Sequence, residues 1–177
     1  MITKESMAFF NELFLNEVKV SSLDPMKRYL IAKAFDEANL SNDERQQVGA
    51  IIYSSSSIHA RGYNGTPVTE KNQGSALHKQ IVSQKTGKTN PWVLHAEEMA
   101  LINLIKKEVP SQPLTLFVTH CPCERCMARI IASGVIGEIQ FVYDHDYNEA
   151  LNLVEELAPH IKVTRIDLEG KSPSSLV

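Results

Sequence analysis

The first forty residues carry apolar positions at a spacing near 3.6, which is typical of amphipathic helices. Between residues 6 and 19 one stripe collects the apolar side chains Phe9, Phe10, Leu13, Phe14 and Val18. Residues 25–38 repeat the pattern, and Asp24 followed by Pro25 is typical of a helix N-cap and first turn. We therefore predict two N-terminal helices, over residues 6–19 and 25–38.

The pattern then changes to short apolar runs. Polar residues 41–47 predict a loop, and residues 48–53 and 58–63 predict two strands joined by a serine-rich turn. Residues 67–92 are polar and basic, with glycines and prolines, and a loop of this length is usually functional or a lid. A β-hairpin followed by a long loop is therefore expected in the middle of the chain.

The remaining residues alternate between helical and strand patterns. Helices are predicted over residues 94–108, 123–133 and 147–157, and strands over residues 114–119, 138–143 and 163–168. The first of these helices is apolar nearly all round, so we expect it to be buried. Together with the hairpin, this order implies one mixed five-stranded sheet with helices on both faces, a three-layer α/β/α sandwich.

Composition and charge narrow the class of protein. The 177 residues include 18 Lys plus Arg against 21 Asp plus Glu, a net charge of −3, which argues against bulk binding to nucleic acid or anionic membrane. A small anionic substrate held by a local cluster of cations remains possible. No apolar run is long enough to span a membrane and no signal peptide is recognisable, so we expect a cytoplasmic protein.

Three cysteines, an odd and low number, argue against a disulfide framework and for a reducing compartment. Two of them lie in the segment Pro-Cys-Glu-Arg-Cys, where Cys123 and Cys126 are three residues apart and share one face of a helix. The segment His95-Ala96-Glu97 also stands at a predicted helix start. Two thiolates and an imidazole suit one zinc ion, with a fourth position open to water, as in catalytic sites. Glu97 could then act as the proton carrier.

Each of these residues has a simpler interpretation. A histidine at a helix start is commonly a cap or a core residue, a Cys-x-x-Cys pair can be a redox pair or two buried thiols, and a glutamate on a helix is usually solvated. The combination is more specific. His-x-Glu opening one helix, followed after one strand by Pro-Cys-x-x-Cys opening another, is the signature of zinc-dependent nucleobase deaminases.

On these motifs the sequence resembles the cytidine and deoxycytidylate deaminase family, most closely its deoxycytidylate deaminase branch. The resemblance runs from about residue 29 to residue 163. The matching segments are VGAII at 48–52, GYNGTP at 62–67, HAE at 95–97, LFVTHCPCERC at 116–126 and IIASGV at 130–135. It implies a cytidine-deaminase-like sandwich and the hydrolysis of dCMP to dUMP and ammonia, within pyrimidine deoxynucleotide metabolism.

The resemblance also implies roles for individual residues. The family's zinc ligands correspond to His95, Cys123 and Cys126, with one catalytic ion per chain, and its proton shuttle corresponds to Glu97. Substrate contacts would come from Asn64 on the sugar, Gly65 at a close backbone approach, Ala96 and Glu97 at the pyrimidine edge, Tyr147 stacked on the base and Arg45 on the phosphate. Four lysines could bind the phosphate instead of Arg45: Lys71, Lys79, Lys85 and Lys88. Asn64-Gly65 is equally typical of a tight turn, and Tyr147 of helix packing.

The sequence departs from the family pattern at two places. Met99 stands where relatives often have asparagine, and residues 39–45 lack the cysteine through which some relatives bind a second zinc. We therefore expect no second zinc of that type, and Cys121 is interpreted as a small buried residue at a strand end.

The domain organisation that follows is a helical extension at 1–22 packed on the core, a deaminase domain at 23–169 and a flexible tail at 170–177. Relatives are oligomeric, so a homo-oligomer, hexamer or dimer, is expected. Two other functions stay open: a deaminase of the same superfamily acting on a nucleoside, guanine, a pterin or a base in nucleic acid, and a non-catalytic interaction protein with this fold.

Overall fold

The computed structural model describes residues 15–55, 57–67, 81, 86–107, 109–144 and 148–176. Within these ranges the chain forms six strands, four α-helices and two short 3₁₀ helices. The strands are β1 (Leu15–Lys19), β2 (Gly49–Ser54), β3 (Ser57–Tyr63), β4 (Leu114–His120), β5 (Ile136–Tyr143) and β6 (Lys162–Asp167). The α-helices are α1 (Pro25–Ala38), α2 (Ala96–Ile105), α3 (Glu124–Ser133) and α4 (Asn148–Leu157), and the 3₁₀ helices are Val20–Ser22 and Pro173–Leu176.

The six strands form one sheet in the order β1-β6-β5-β4-β2-β3. The strand β2 is antiparallel to both β3 and β4, whereas β4, β5, β6 and β1 run parallel to one another. The helices α3 and α4 supply the crossovers that parallel neighbours require. The predicted hairpin and the predicted mixed sheet are therefore confirmed.

Side chains of the inner strands are buried on both faces of the sheet. On one face, Ala50 and Ile52 of β2 join a cluster with residues of α2, α3 and α4. On the opposite face, Ile51 and Tyr53 join a cluster with residues of α1 and with Leu176. This alternation follows from the period of two along a strand, and it confirms the three-layer sandwich.

Local sequence signals set the ends of two helices. The Asp24 carboxylate accepts the backbone N–H of Lys27 at 2.9 Å and Pro25 occupies the first turn, so α1 begins where its capping pattern predicts. At the end of α3, Gly134 adopts a left-handed conformation with φ +65°, which residues other than glycine rarely adopt. Both boundaries agree with the prediction from sequence.

Close packing at Gly62 places the start of α2. A Cβ atom at Gly62 of β3 would overlap the carbonyl oxygen of Ala96 and lie 2.5 Å from the backbone nitrogen of Ala100. Only the missing side chain lets the helix lie this near the strand. Residue 95, immediately before the helix, is thereby held over the end of the sheet.

The helix predicted over residues 6–19 is wrong at its C-terminal end. Residues Leu15–Lys19 form β1, which pairs in parallel with β6 at one edge of the sheet. Backbone pairing with a strand edge, together with the packing of Leu15 against the core, outweighs the helical spacing of five residues. The sheet consequently has six strands instead of the predicted five, and residues 6–14 lie outside the described part of the chain.

Two further segments differ from expectation. The helix α2 is not buried all round, because Ile102 and Ile105 on its outer side are 37% and 72% exposed. Near the C-terminus, where a flexible tail was predicted, Pro173–Leu176 forms a 3₁₀ helix and Leu176 is buried in the cluster with α1. The domain boundaries stay a prediction. Among the described helices, none has both the length and the apolar character that a bilayer crossing requires.

Candidate active site

One cluster of potential metal ligands forms where α2 and α3 begin. His95 precedes α2, Cys123 caps α3 and Cys126 lies in its first turn. The Nδ1 atom of His95 lies 3.4 Å from Sγ of Cys126 and 3.6 Å from Sγ of Cys123, and all three ligand atoms lie within 4.8 Å of one another. A tetrahedral zinc ion with bonds of about 2.0–2.3 Å separates its ligand atoms by roughly 3.5 Å. The cluster therefore fits zinc, with three protein ligands and one open position.

The electrostatics of the cluster favour thiolate at Cys123. Hydrogen bonding from Cys126, and a further hydrogen bond from His95, lower the pKa of Cys123 to about 3. The pKa of Cys126 is raised, first by that hydrogen bond to Cys123 and then by burial. Cys123 also stands at the positive end of the α3 dipole, which stabilises a negative sulfur. An electron-rich sulfur pair beside an imidazole is the donor set that zinc prefers.

Cys121 behaves differently from the other two cysteines. Its side chain is buried at the end of β4, and its Sγ atom donates weakly to the carbonyl oxygen of Pro122 at 3.8 Å. Burial raises the pKa of Cys121 to about 12, so this residue remains a thiol at neutral pH. The interpretation of Cys121 as a buried residue beside the cluster agrees with this position.

Glu97, in the first turn of α2, is a buried carboxyl group that faces the same cavity as the ligand cluster. Burial raises the pKa of Glu97 to about 7, because a carboxylate loses hydration in this position. A carboxyl group with such a pKa can both accept and donate a proton near neutral pH. The geometry thus combines a metal-ligand set with a buried carboxyl group of raised pKa in one place.

The cavity beside the cluster has a volume of about 330 Å³, which lies in the range of small-molecule pockets. It opens at the end of the sheet where β2 begins and where β3 and β4 end. Its described lining consists of Asp43, Arg45, Gln46, Val48, Asn64, Thr89, Val93, His95, Ala96, Glu97, His120, Cys121 and Cys123. Of the predicted substrate contacts, the structure brings Arg45, Asn64 and Ala96 to this cavity.

Asn64 lies in the cavity wall, and its amide is engaged with the backbone. Oδ1 accepts the N–H of Val48 at 2.8 Å, and Nδ2 donates to the carbonyl oxygen of Gln46 at 2.8 Å. These bonds reach residues 16 and 18 positions earlier in the chain, and they hold the loop before β2 against the end of β3. Asn64 therefore forms part of the cavity wall, and its contact with a sugar stays a prediction.

Gly65 is not among the described residues that line the cavity, and it contributes to the site through its backbone. It exchanges two backbone hydrogen bonds with Leu94, of 3.0 and 2.9 Å, and so fixes the residue directly before His95. A Cβ atom at Gly65 would meet the Tyr63 ring at 3.5 Å, an ordinary contact distance. Gly65 therefore helps to fix the segment before His95, and the predicted close approach of its backbone to a nucleotide stays a prediction.

Arg45 reaches the mouth of the cavity in a defined position. Its guanidinium is held by both carboxylate oxygens of Asp43, at 2.9 and 3.1 Å, and donates to Oγ1 of Thr89 at 2.9 Å. Lys88, one of the four lysines considered for the phosphate, is exposed in the same loop as Thr89. Three of those lysines and the predicted stacking residue lie outside the described residues: Lys71, Lys79, Lys85 and Tyr147.

Reasoning from sequence missed six residues of the described cavity lining: Asp43, Gln46, Val48, Thr89, Val93 and His120. His120 ends β4, its Nδ1 lies 2.9 Å from Oγ1 of Thr119, and its ring packs against Tyr143 with centroids 4.9 Å apart. Its position directly before the cysteine motif, at a strand end, was a signal that could have identified it. No comparable local signal marks Thr89, because its place depends on the fold of a loop.

Comparisons with known proteins agree with this geometry. The model of the "cytidine and deoxycytidylate deaminase zinc-binding region" family matches residues 25–143. Deoxycytidylate deaminases of Pongo abelii and Homo sapiens are 35% and 34% identical over 130 and 125 residues, 69% of this chain and 68% of each relative. The dCMP deaminase of cyanophage S-TIM5, solved with dCMP and dUMP, superposes with a TM-score of 0.67 at 30% identity, covering 81% of this chain and 98% of that one.

Replacing one sulfur ligand tests the cluster directly. We expect Cys126→Ser to lose most bound zinc, because a serine hydroxyl is a poor ligand in place of a thiolate. Elemental analysis of the purified variant measures this loss. Cys121→Ser is the matched control, since Cys121 is buried beside the cluster but is not part of it, and it should keep the zinc content of the unaltered protein. Equal zinc contents in the two variants would contradict the ligand assignment.

Proposed function

Because the chain belongs to the cytidine and deoxycytidylate deaminase family, we propose that it hydrolyses dCMP to dUMP and ammonia. Water adds its oxygen to C4 of the cytosine ring and the exocyclic amino group leaves as ammonia, so one water is consumed for each ammonia released. The observation that carries the proposal is the ligand cluster of His95, Cys123 and Cys126, of which His95 and Cys123 line the same cavity as the buried carboxyl of Glu97. The likeness to a dCMP deaminase at 30% identity supports the choice of substrate.

His95, Cys123 and Cys126 would hold one zinc ion per chain. When bound there, zinc supplies the Lewis acidity that makes water a nucleophile at neutral pH. The two sulfurs balance the charge of the ion, and the two helix N-termini that carry the ligands favour the negative sulfur form. The protein's own contribution at this point is to keep all three ligand atoms within 4.8 Å of one another.

Glu97 would move the protons of the reaction. Its carboxylate accepts a proton from the attacking water and passes it to N3 of the cytosine ring; it then accepts the proton of the new hydroxyl group on C4 and delivers it to the amino group, which leaves as ammonia while C4 becomes a carbonyl. Burial supports this role, since it brings the pKa of Glu97 to about 7 and lets the group be charged before the transfer and neutral after it.

The nucleotide would be oriented by the cavity wall. Ala96 is fully buried in that wall beside Glu97 and would contact the pyrimidine edge. Asn64 would contact the sugar, Gly65 would let the backbone approach the nucleotide closely, and Tyr147 would stack on the base. Arg45, held by Asp43 at the cavity mouth, would bind the phosphate.

We expect the chain to bind a nucleotide and to form a homo-oligomer with further copies of itself. Nucleic acid is not an expected partner. The net charge of −3 argues against binding to nucleic acid, and the low, odd number of cysteines supports a reaction in the reducing cytoplasm. Sedimentation analysis tests the oligomer, and a mass equal to one chain at micromolar concentration would count against it. Cell fractionation tests the location.

The role of Glu97 predicts a specific loss of turnover. Glu97→Gln keeps the size of the side chain but cannot shuttle protons, so dCMP turnover should fall by about 10²–10⁴-fold or more. Ultraviolet absorbance follows the conversion to dUMP, and an ammonia assay confirms the product. The variant should retain its zinc, which separates this loss from the loss at Cys126. Turnover at the unaltered rate would refute the assignment.

The role of Arg45 predicts a loss that depends on the phosphate. Arg45→Gln should lower kcat/KM for dCMP by about 10–100-fold, the worth of a charged hydrogen bond, and leave the slow reaction of deoxycytidine nearly unchanged. The matched control is Lys88→Gln, which removes a neighbouring exposed cation. Equal losses with both substrates, or a larger loss in the Lys88 variant, would show that Arg45 does not bind the phosphate.

A further inference from the structure

A buried carboxylate beside the ligand cluster has partners on both helices that carry the ligands. Glu98, in the first turn of α2, is 7% exposed. Its Oε2 atom accepts the backbone N–H of His95 at 2.8 Å and lies 3.2 Å from Nη2 of Arg125. Its Oε1 atom lies 3.1 Å from Nη1 of Arg129. One side chain thus joins the backbone of a ligand residue in front of α2 to two side chains of α3.

The two arginines are themselves anchored to the start of α3. Arg125 stands between the ligands Cys123 and Cys126, and Arg129 follows one helical turn later on the same face. The Nη1 atom of Arg129 also donates to the carbonyl oxygen of Arg125 at 3.2 Å. The carboxylate of Glu98 is therefore connected to the turn of helix that presents the sulfur ligands.

We infer that Glu98 is a positioning residue of the metal centre, which holds the backbone of His95 at the distance from α3 that lets one ion bind His95, Cys123 and Cys126 together. This inference rests on the zinc centre proposed above. Glu98 is not among the described residues that line the cavity, and its carboxylate contacts the backbone of His95 and the two arginines, so it acts through the placement of His95.

The physical argument concerns how the ligand distance is set. His95 and Cys123 are 28 residues apart in sequence, so no local rule of helix geometry fixes the distance between them. The N–H of His95 is among the groups at a helix start for which the helix backbone offers no carbonyl partner. The side chain of Glu98, in the first turn, supplies the acceptor instead. Because the same oxygen also contacts Arg125, a movement of His95 relative to α3 would break two contacts at once.

The burial of Glu98 makes these contacts strong enough to hold the backbone of His95 in place. Exposed ion pairs contribute little, and both arginines are about half exposed. The carboxylate, in contrast, is buried, and its loss of hydration is compensated only while the His95 N–H and the guanidinium groups stay in place. Groups next to metal ligands that are fixed in this way typically change metal affinity by about 10–100-fold when they are removed.

The test measures zinc binding in Glu98→Gln and in a matched control, Glu37→Gln. Glu37 of α1 is also largely buried, with 13% of its side chain exposed, and forms an ion pair of 3.2 Å with a half-exposed arginine, Arg61, away from the described cavity lining. Zinc affinity is measured by competition with a chelating dye, the geometry of the site by the visible spectrum of the cobalt-substituted protein, and stability by thermal unfolding of the metal-free chains.

We expect Glu98→Gln to weaken zinc binding by about tenfold or more and to alter the cobalt spectrum. Glu37→Gln should lower stability by a similar amount and leave both readouts at the values of the unaltered protein. An affinity in Glu98→Gln within twofold of the unaltered protein overturns the inference, and so does an equal weakening in Glu37→Gln, because the role of Glu98 would then be one of general stability.

Arg129→Gln gives a second measurement that does not depend on the folding of the Glu98 variant, since Arg129 is half exposed. It removes one partner of the carboxylate and should weaken zinc binding about threefold, the worth of such a pair. Conservative Arg129→Lys should recover part of that loss, and unchanged affinity in both variants overturns the inference. Zinc binding is read without turnover, so inactivity toward dCMP and failure of this inference are observed separately.

Discussion

One ion can bind His95, Cys123 and Cys126 only if two helix N-termini, separated by a strand in the sequence, lie side by side over the end of the sheet. The structure meets this condition with ligand atoms within 4.8 Å. Gly62 lets α2 pack closely on β3, and β4 leads directly into the cysteine segment that opens α3. The cavity, the buried Glu97 carboxyl and the polar bonds around them all depend on this placement, since they are built from residues in these elements or next to them.

Two adjacent carboxyl groups show how the same burial can have opposite consequences. Glu97 and Glu98 are neighbours in the first turn of α2, and both are buried. Glu98 contacts two guanidinium groups and a backbone N–H, so its charge is compensated and it can hold the start of α2 in position against α3. For Glu97 the loss of hydration is the dominant influence, and its pKa rises to about 7, which suits a group that carries protons.

The fold was predictable wherever the signals were local. The N-cap of α1, the glycine at the end of α3 and the strand pattern of β2 each act within a few residues, and the structure confirms all three. The segment 15–19 was not predictable, because its conformation comes from pairing with β6, almost 150 residues later. The exposure of Ile105 on α2 likewise depends on which side of the helix meets the sheet. A helix that is apolar nearly all round gives no indication of that side.

For the active site, the sequence alone determined the chemistry of the ligands. The residue types and spacing of His95, Glu97, Cys123 and Cys126 are a local pattern, and they indicate zinc and a proton carrier before any distance is known. Only the tertiary structure decided which residues surround them. The bond of Arg45 to Thr89, the packing of His120 on Tyr143 and the bonds of Glu98 to α3 all join distant segments. Contacts of this kind depend on how the chain packs, and no local spacing of residues encodes them.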